Sequence, residues 1–328
     1  MRTVLLPLSD AALREAAAAL REGKLVAFPT ETVYGLGARA DRSDAVRGIF
    51  AAKGRPPGNP LIVHVPDRAS ARALAARWPD VAEALAIRFW PGPLTLVVER
   101  APGAVADEVT AGGPTVGVRV PAHPVALALL REAGVPVAAP SANRSTTISP
   151  TTAEHVMKTL GGAIDHVLDA GPTGFGIEST IVDVSRSPMR LLRHGAIPLE
   201  AIARFGEVID MTGESVSPSA RADAPGMHAK HYAPRARALL LPPEEVRAQV
   251  SALAEGGAKV GSIERAPATA AGSLAVELAA DPEGYARDLY AALHRLDDAG
   301  CDVIVIAEVP GDAAWAAVRD RLRRATAR

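Results

Sequence analysis

Hydroxyls, cations and one imidazole crowd the stretch from Phe28 to His64, where Pro29-Thr-Glu-Thr-Val-Tyr-Gly-Leu-Gly37 is followed by Lys53-Gly-Arg-Pro-Pro-Gly-Asn-Pro-Leu-Ile-Val-His64. Thr30, Thr32, Lys53, Arg55, Asn59 and His64 come from this stretch. A second group joins Thr115 and Arg119 to Ala139-Pro-Ser-Ala-Asn143, and a third joins the Gly-rich run Gly171 to Thr180 to Arg193. All three stand beside short apolar runs, where open α/β sheets present ligands. Cations, hydroxyls and Gly-rich backbone together are the inventory for holding a phosphate-bearing substrate next to a small polar one.

Each of these residues also has a plainer reading. Lys53 and Arg55 end a helical pattern and so compensate a helix dipole, although Gly54 and Pro56-Pro57 fix the direction in which both cations project. Arg119 interrupts the apolar alternation Val116-Gly-Val-Arg-Val-Pro121, where an unpaired charge costs several kcal/mol, so it faces a carboxylate of protein or of ligand. His64 closes the run Leu61-Ile-Val63 and is equally at home in a core. Ser141, Asn143, Ser179 and Thr180 are also ordinary helix caps and turn residues. His228 and His231 have helical spacing but no third ligand nearby, which makes a zinc site a poor fit.

The elements that must position these groups follow from the hydrophobic pattern. Strands are predicted over Leu25–Phe28, Leu61–Val65, Leu94–Val98, Val116–Val120, Val137–Ala139, Val167–Leu168, Thr180–Val184 and Met189–Leu192. Helices are predicted over Ala11–Glu22, Ser43–Lys53, Ala69–Arg77, Val81–Phe89, Pro124–Glu132 and Thr152–Leu160. A polar, Pro-punctuated segment follows, and after Tyr232 strand and helix alternate again, as in a small parallel α/β domain. The divisions are 1–206, a linker over 207–236, and 237–328. The Arg-rich end, Arg319 to Arg328, reads as a solvated amphipathic helix.

A chain of 328 residues, 48% hydrophobic and 22% charged, is an ordinary globular protein of two domains. Its 36 basic and 37 acidic residues give a net charge of -1, so no general field attracts nucleic acid and anion binding must be local. The single Cys301 excludes an internal disulfide and reads as a buried structural thiol. No signal peptide or membrane-spanning run is read, and a cytoplasmic location is expected. No GxxxxGK[ST] and no GxSxG setting occurs, which argues against a P-loop NTPase and an α/β-hydrolase.

In order along the chain, Pro29-Thr-Glu-Thr-Val-Tyr-Gly-Leu-Gly37, Lys53-Gly-Arg-Pro56, Asn59-Pro-Leu-Ile-Val-His64, Trp90-Pro-Gly-Pro-Leu-Thr95, Val118-Arg-Val-Pro121, Ala139-Pro-Ser-Ala-Asn143 and Glu178-Ser-Thr-Ile-Val182 resemble the YrdC-domain family of L-threonylcarbamoyladenylate synthases. Ala224 to Pro234 and the segment beyond it resemble the longer, two-domain branch. The resemblance implies an α/β fold: a YrdC-like twisted open mixed sheet with flanking helices, then a smaller Rossmann-like parallel α/β domain. The Pro/Gly-hinged linker, polar from Gly226 to Tyr232, is expected to fold over the active site as a lid. It implies that L-threonine, bicarbonate or CO2, and ATP give threonylcarbamoyl-AMP and pyrophosphate. Downstream machinery would then transfer the threonylcarbamoyl group to tRNA beside the anticodon.

By the same resemblance Thr32, His64, Arg119 and Ser179 hold threonine, while Arg55, Asn59, Thr115, Ser141, Asn143, Ser149 and Arg193 hold ATP. Lys53 and Arg55 neutralise phosphate charge, and Mg²⁺ accompanies the triphosphate with no ligands identified. Where family members often carry a linker tyrosine, this chain has Ala229, which leaves His228 or Tyr232 as substitutes toward the nucleotide. Two alternatives stand beside this reading. One is a carbamoyl-transfer enzyme. The other is an RNA-binding module using a local patch of Lys53, Arg55, Arg119, Arg144 and Arg193 for weak RNA contact.

Overall fold

Alternating apolar residues build the strands of the chain, and Ala-rich periodic segments build the helices packed against them. The computed structural model describes residues 2–213, 232–268 and 274–327. The strands of the first half are β1 (Val4–Pro7), β2 (Val26–Pro29), β3 (Tyr34–Arg39), β4 (Ile62–His64), β5 (Ala75–Arg77), β6 (Leu94–Arg100), β7 (Thr115–Arg119), β8 (Val137–Ala138), β9 (His166–Asp169), β10 (Thr180–Asp183), β11 (Met189–Arg193) and β12 (Val208–Asp210). Its helices are α1 (Asp10–Glu22), α2 (Ser43–Lys53), α3 (Arg68–Ala73), α4 (Asp80–Phe89), α5 (Asp107–Thr110), α6 (Pro124–Ala133), α7 (Ala153–Leu160) and α8 (Leu199–Ala203). The sheet runs β1-β9-β2-β3-β8-β4-β7-β6-β10-β11-β12, with β5 paired to β6. Pairing is mixed: β4 and β7 are parallel, as are β6 and β10, whereas β2 and β3 are antiparallel.

Period-two alternation decides which residues reach the open face of this sheet. Leu94, Leu96 and Val98 of β6, and Val116 and Val118 of β7, lie in the helix-covered core. Their neighbours point the other way: Val97 meets Ile62, Ile181 and Leu192 in a small cluster of its own. Thr115, Gly117 and Arg119 therefore share the open face of β7. At roughly 3.3 Å per residue, Thr115 and Arg119 are separated by about 13 Å along it.

The motif after Pro29, where no strand is predicted, forms the second arm of a hairpin. Residues 30–33 make a tight turn, with Thr30 Oγ1 donating to Val33 O at 2.7 Å, and Tyr34–Arg39 returns as a strand antiparallel to β2. Gly37 reflects close approach within that strand, since a Cβ there would sit 2.8 Å from Phe28 Cε1 and 3.1 Å from Val26 O. The helix expected over Ala69–Arg77 stops at Ala73 because residues 75–77 pair with the edge of β6.

The second half contains β13 (Arg237–Leu241), α9 (Pro243–Glu255), β14 (Val260–Arg265), β15 (Ala275–Leu278), α10 (Pro282–Asp298), β16 (Val303–Ala307) and α11 (Ala316–Ala325). Its four strands run β13-β16-β14-β15 and every pair is parallel. Val246 of α9 covers one face through Val303 and Val305. On the other face, Leu289, Leu293 and Leu296 of α10 pack with Ile304, Ile306 and Leu322. Val33, Ile148 and Ile177 of the first half join that same cluster, so the two halves share apolar core. The sheet of the first half extends past residue 206, because β12 pairs with β11.

The Arg-rich end is not the solvated helix its composition suggests. Asp320, Arg321 and Arg324 of α11 are buried, Arg321 completely. Each has an ionic partner: Arg321 Nη1 lies 2.7 Å from Asp320, and Arg324 Nε lies 2.9 Å from the same carboxylate. Cys301 is buried as a free thiol, as expected of a structural cysteine. No helix among the described residues is long and apolar enough to cross a membrane.

Candidate active site

A cavity opens where the open face of the large mixed sheet meets the hairpin at 30–33 and the second half. Thr32, Arg55, His64, Arg119, Ser141, Ser179, Arg193 and Tyr232, all singled out in the sequence, line it together with Thr30 and Glu178. Three strands that run in the same direction end at it: β4 on His64, β7 on Arg119 and β11 on Arg193. His64 and Arg119 sit opposite each other in the parallel β4–β7 register.

Arg119 is held from the protein side on all three nitrogens. Its Nε donates to Gly92 O at 3.3 Å and its Nη1 to Thr32 Oγ1 at 3.1 Å. Nη2 lies 2.7 Å from Glu31 Oε1. That last approach is a charge contact and not an aligned hydrogen bond, since Nη2 and both Glu31 oxygens have no hydrogen-bond partner among the described residues. The carboxylate that the strand charge required is thus Glu31, and hydrogen-bonding capacity remains on Nη2. Beside it, burial first and Arg119 second push His64 down to about 3, so the imidazole is neutral. Its Nδ1 is buried with no hydrogen-bond partner among the described residues.

Ser179 and Arg193 form the opposite wall. Arg193 donates from Nε to Ser179 O at 3.0 Å and from Nη2 to Ser179 Oγ at 3.1 Å. Ser179 Oγ also meets Thr95 Oγ1 at 2.8 Å. Gly195 permits this packing, because a Cβ there would fall 2.2 Å from Thr180 N. Arg55 donates from Nε to Asn59 O at 3.1 Å and from Nη2 to Pro60 O at 2.8 Å. Burial lowers its pKa to about 9, which leaves it cationic at neutral pH.

The remaining candidates lie behind or beside this cavity. Lys53 turns its buried ammonium onto the carbonyls of Ser141 and Asn143 and so ties down the 139–143 loop, away from the lining it was expected to join. Burial, then Arg55, drives its pKa well below the ordinary lysine value. Gly54, at φ 60°, ends α2 and lets Lys53 and Arg55 serve different neighbours. Asn143 spends its amide on Arg144 O and Thr147 O, and Ser149 donates its hydroxyl to Glu178. Asn59 supplies its backbone carbonyl to Arg55, while its Oδ1 is buried without a hydrogen-bond partner among the described residues. Thr115 lines a neighbouring hollow with Thr95, Val97, Gly117 and Ile181, separated from the cavity by the shared side chain of Ile62. His228 and Ala229 lie outside the described residues. Tyr232 is buried at the cavity wall, its ring under Arg321 with Cζ 5.2 Å from the centroid.

Four residues of the site escaped the sequence reading. Glu31 and Glu178 lie in motifs but are assigned no role there, and Tyr290 and Arg321 belong to the second half. Glu178 accepts from Tyr290 OH at 3.0 Å and from Arg321 Nε at 2.8 Å. Burial raises the Glu178 pKa, but Arg321 and Arg193 outweigh it and bring the group down to about 2. The one available signal was Asp320, an acid placed four residues before Arg324 amid arginines. Among the described residues no group of three His, Cys, Asp or Glu side chains is placed to hold a metal ion.

An open mixed sheet that gathers buried arginines and hydroxyls around one cavity, followed by a parallel α/β domain, defines a two-domain α/β protein with a cation-rich cavity. The family described as Telomere recombination, comprising Sua5, YciO and YrdC, matches residues 18–195, and the threonylcarbamoyl-AMP synthase C-terminal domain matches residues 197–327. The threonylcarbamoyl-AMP synthase of Pyrococcus abyssi is 44% identical over 328 residues, covering 96% of this chain and 94% of its own. That of Bacillus subtilis is 42% identical over 323 residues, covering 97% and 93%. The crystal structure of P. abyssi Sua5 complexed with L-threonine superposes with a TM-score of 0.93 at 41% identity, covering 99% of this chain and 98% of that one. The chain belongs to the two-domain branch of the Sua5/YciO/YrdC family.

Proposed function

We propose that the protein is an L-threonylcarbamoyladenylate synthase: L-threonine, bicarbonate or CO2, and ATP give threonylcarbamoyl-AMP and pyrophosphate, the first step of threonylcarbamoyladenosine formation in tRNA. The observation that carries this reading is the convergence of Arg119 and Arg193 on one cavity with neutral His64 between hydroxyls. It is supported by the 0.93 TM-score to a relative complexed with L-threonine.

The threonine carboxylate docks on Arg119, whose Nη2 has hydrogen-bonding capacity left, while Thr32 and Ser179 supply hydroxyls around it. The unpaired Nδ1 of neutral His64 accepts a proton-bearing amine or hydroxyl of the same substrate. A carbamate oxygen on the threonine nitrogen attacks the α-phosphorus of ATP, and the bond to the β-phosphate breaks to release pyrophosphate. Both reactants are anions. Arg55 and Arg193 offset that repulsion in a site screened from water, and fixed positions supply the alignment. The 13 Å span of open sheet from Arg119 back toward Thr115, floored by Ile62, Val97 and Ile181, suits a nucleoside extending from the reacting phosphate.

Mg²⁺ would enter with the triphosphate and offset part of its charge. The product is consumed by a tRNA-modifying transferase. Pyrophosphate release measured with ATP, Mg²⁺ and bicarbonate tests the reading: release must depend on L-threonine and collapse in Arg119→Ala. Release indifferent to threonine removes it.

A further inference from the structure

The second half of the chain does more than pack against the catalytic half, because it places a charge behind the reactive cavity. Glu178 immediately precedes Ser179 and lines the cavity. It is a buried carboxylate, and such a group takes the nearest available cation. Within the catalytic half that cation is Arg193, bonded through Nε and Nη2 to the adjacent Ser179. Two side chains of the second half intervene. Tyr290 of α10 donates to Glu178 Oε2 at 3.0 Å, and Arg321 of α11 donates to the same oxygen at 2.8 Å.

Arg321 is built into this position. Its Nη1 is fixed 2.7 Å from Asp320, which Arg324 holds in turn at 2.9 Å, and its guanidinium lies over the ring of Tyr232 at 5.2 Å. Close seating of the two halves is demanded nearby by Gly176 at φ 72°, where a Cβ would fall 2.2 Å from the Arg287 carbonyl oxygen of α10. Arg321, with no exposed surface at all, has no solvent role to explain its charge.

We propose that Arg321 is a positioning residue for adenylate formation: by satisfying the Glu178 carboxylate it keeps Arg193 on Ser179 and facing the cavity, where Arg193 serves the triphosphate. This rests on the reading of the cavity as the ATP and threonine site. In its absence Glu178 captures Arg193, the cavity loses a cation and Ser179 loses its orienting donor.

The test is the Michaelis constant for ATP in the full-length Arg321→Met variant, with folding checked by circular dichroism below the melting temperature. The expected result is a rise of at least tenfold in KM for ATP. A folded variant whose KM for ATP stays within twofold while kcat falls overturns the inference and leaves Arg321 a structural residue, since a smaller active fraction lowers kcat without moving KM. The Glu178→Gln background provides a second reading that survives a poorly folding single variant. Adding Arg321→Met there should change KM for ATP by less than threefold, because no carboxylate remains to capture Arg193, whereas a tenfold rise in that background overturns the proposal. Wild-type protein without threonine-dependent pyrophosphate release would remove the site reading itself, an outcome distinct from either result.

Discussion

Glu31 Oε1 and Arg119 Nη2 lie 2.7 Å apart in a buried charge contact without an aligned hydrogen bond. The guanidinium therefore keeps a donor for a second carboxylate while Glu31 offsets part of its charge. Arg119→Ala should raise the KM for threonine by roughly 10- to 100-fold, since a charge-assisted hydrogen bond from Nη2 is worth about 1.5 to 3 kcal/mol. Arg119→Lys should recover little of this, because a point ammonium cannot fork. Glu31→Gln should act in the opposite direction and tighten threonine binding by about threefold to tenfold, as the competing negative charge disappears. Calorimetric titration of threonine into each variant checks both signs, and weaker binding in Glu31→Gln would mean that Glu31 orients Arg119 without competing for it.

Lys53 belongs to the basic motif yet bonds two backbone carbonyls of the 139–143 loop. Lys53→Met should cost about 1 to 3 kcal/mol of stability by leaving buried acceptors unpaired. It should also disturb ATP and threonine binding together, because the loop it ties down carries Ser141. A KM change confined to ATP, with stability unaltered, would return Lys53 to direct phosphate contact.

The Tyr232 ring stacks with Tyr290 at 5.7 Å between centroids and lies beneath Arg321. Tyr232→Phe keeps this stacking and should change KM for ATP by less than Tyr232→Ala, for which a rise of about tenfold is expected from the lost ring contacts. Steady-state kinetics on the two variants separate the ring from the hydroxyl.

A pH response is built in where α7 meets α10. His155 and His294 stack with centroids 3.8 Å apart, and burial pushes them down to about 4 and about 3. Both are neutral in the folded protein, while in the unfolded chain they take up protons near pH 6.5. The folded state thus binds fewer protons, so stability is full above pH 6.5 and is lost as pH falls toward 4. Between pH 7 and pH 5 the pair should account for about 2 kcal/mol, discounted for the partial exposure of His155. Urea unfolding at the two pH values measures this, and His294→Gln should flatten the difference.

Much of the site was legible because strand alternation and loop motifs are local signals. Thr32, His64, Arg119, Ser179 and Arg193 sit at strand ends or in the hairpin, and the sheet brings all five to one cavity. Lys53 illustrates the limit of such reading: its motif marks a functional region, but which acceptor an ammonium reaches depends on a loop 88 and 90 residues away in sequence. Arg321 was opaque for a deeper reason. An arginine in a terminal basic helix looks solvated unless the opposing surface is known, and its partner Glu178 lies 143 residues earlier. The strand Tyr34–Arg39 was hidden by glycines that normally mark turns but here admit Phe28 and Val26.

Val33, Ile148 and Ile177 contribute to the core of the second half, although all three are encoded in the first. Neither half can melt while the other keeps that cluster dry, so heating should unfold the protein as a single cooperative unit. Tyr290 and Arg321 would then depart from behind Glu178 in the same transition, tying catalytic competence to the survival of a domain that contributes no strand to the large mixed sheet.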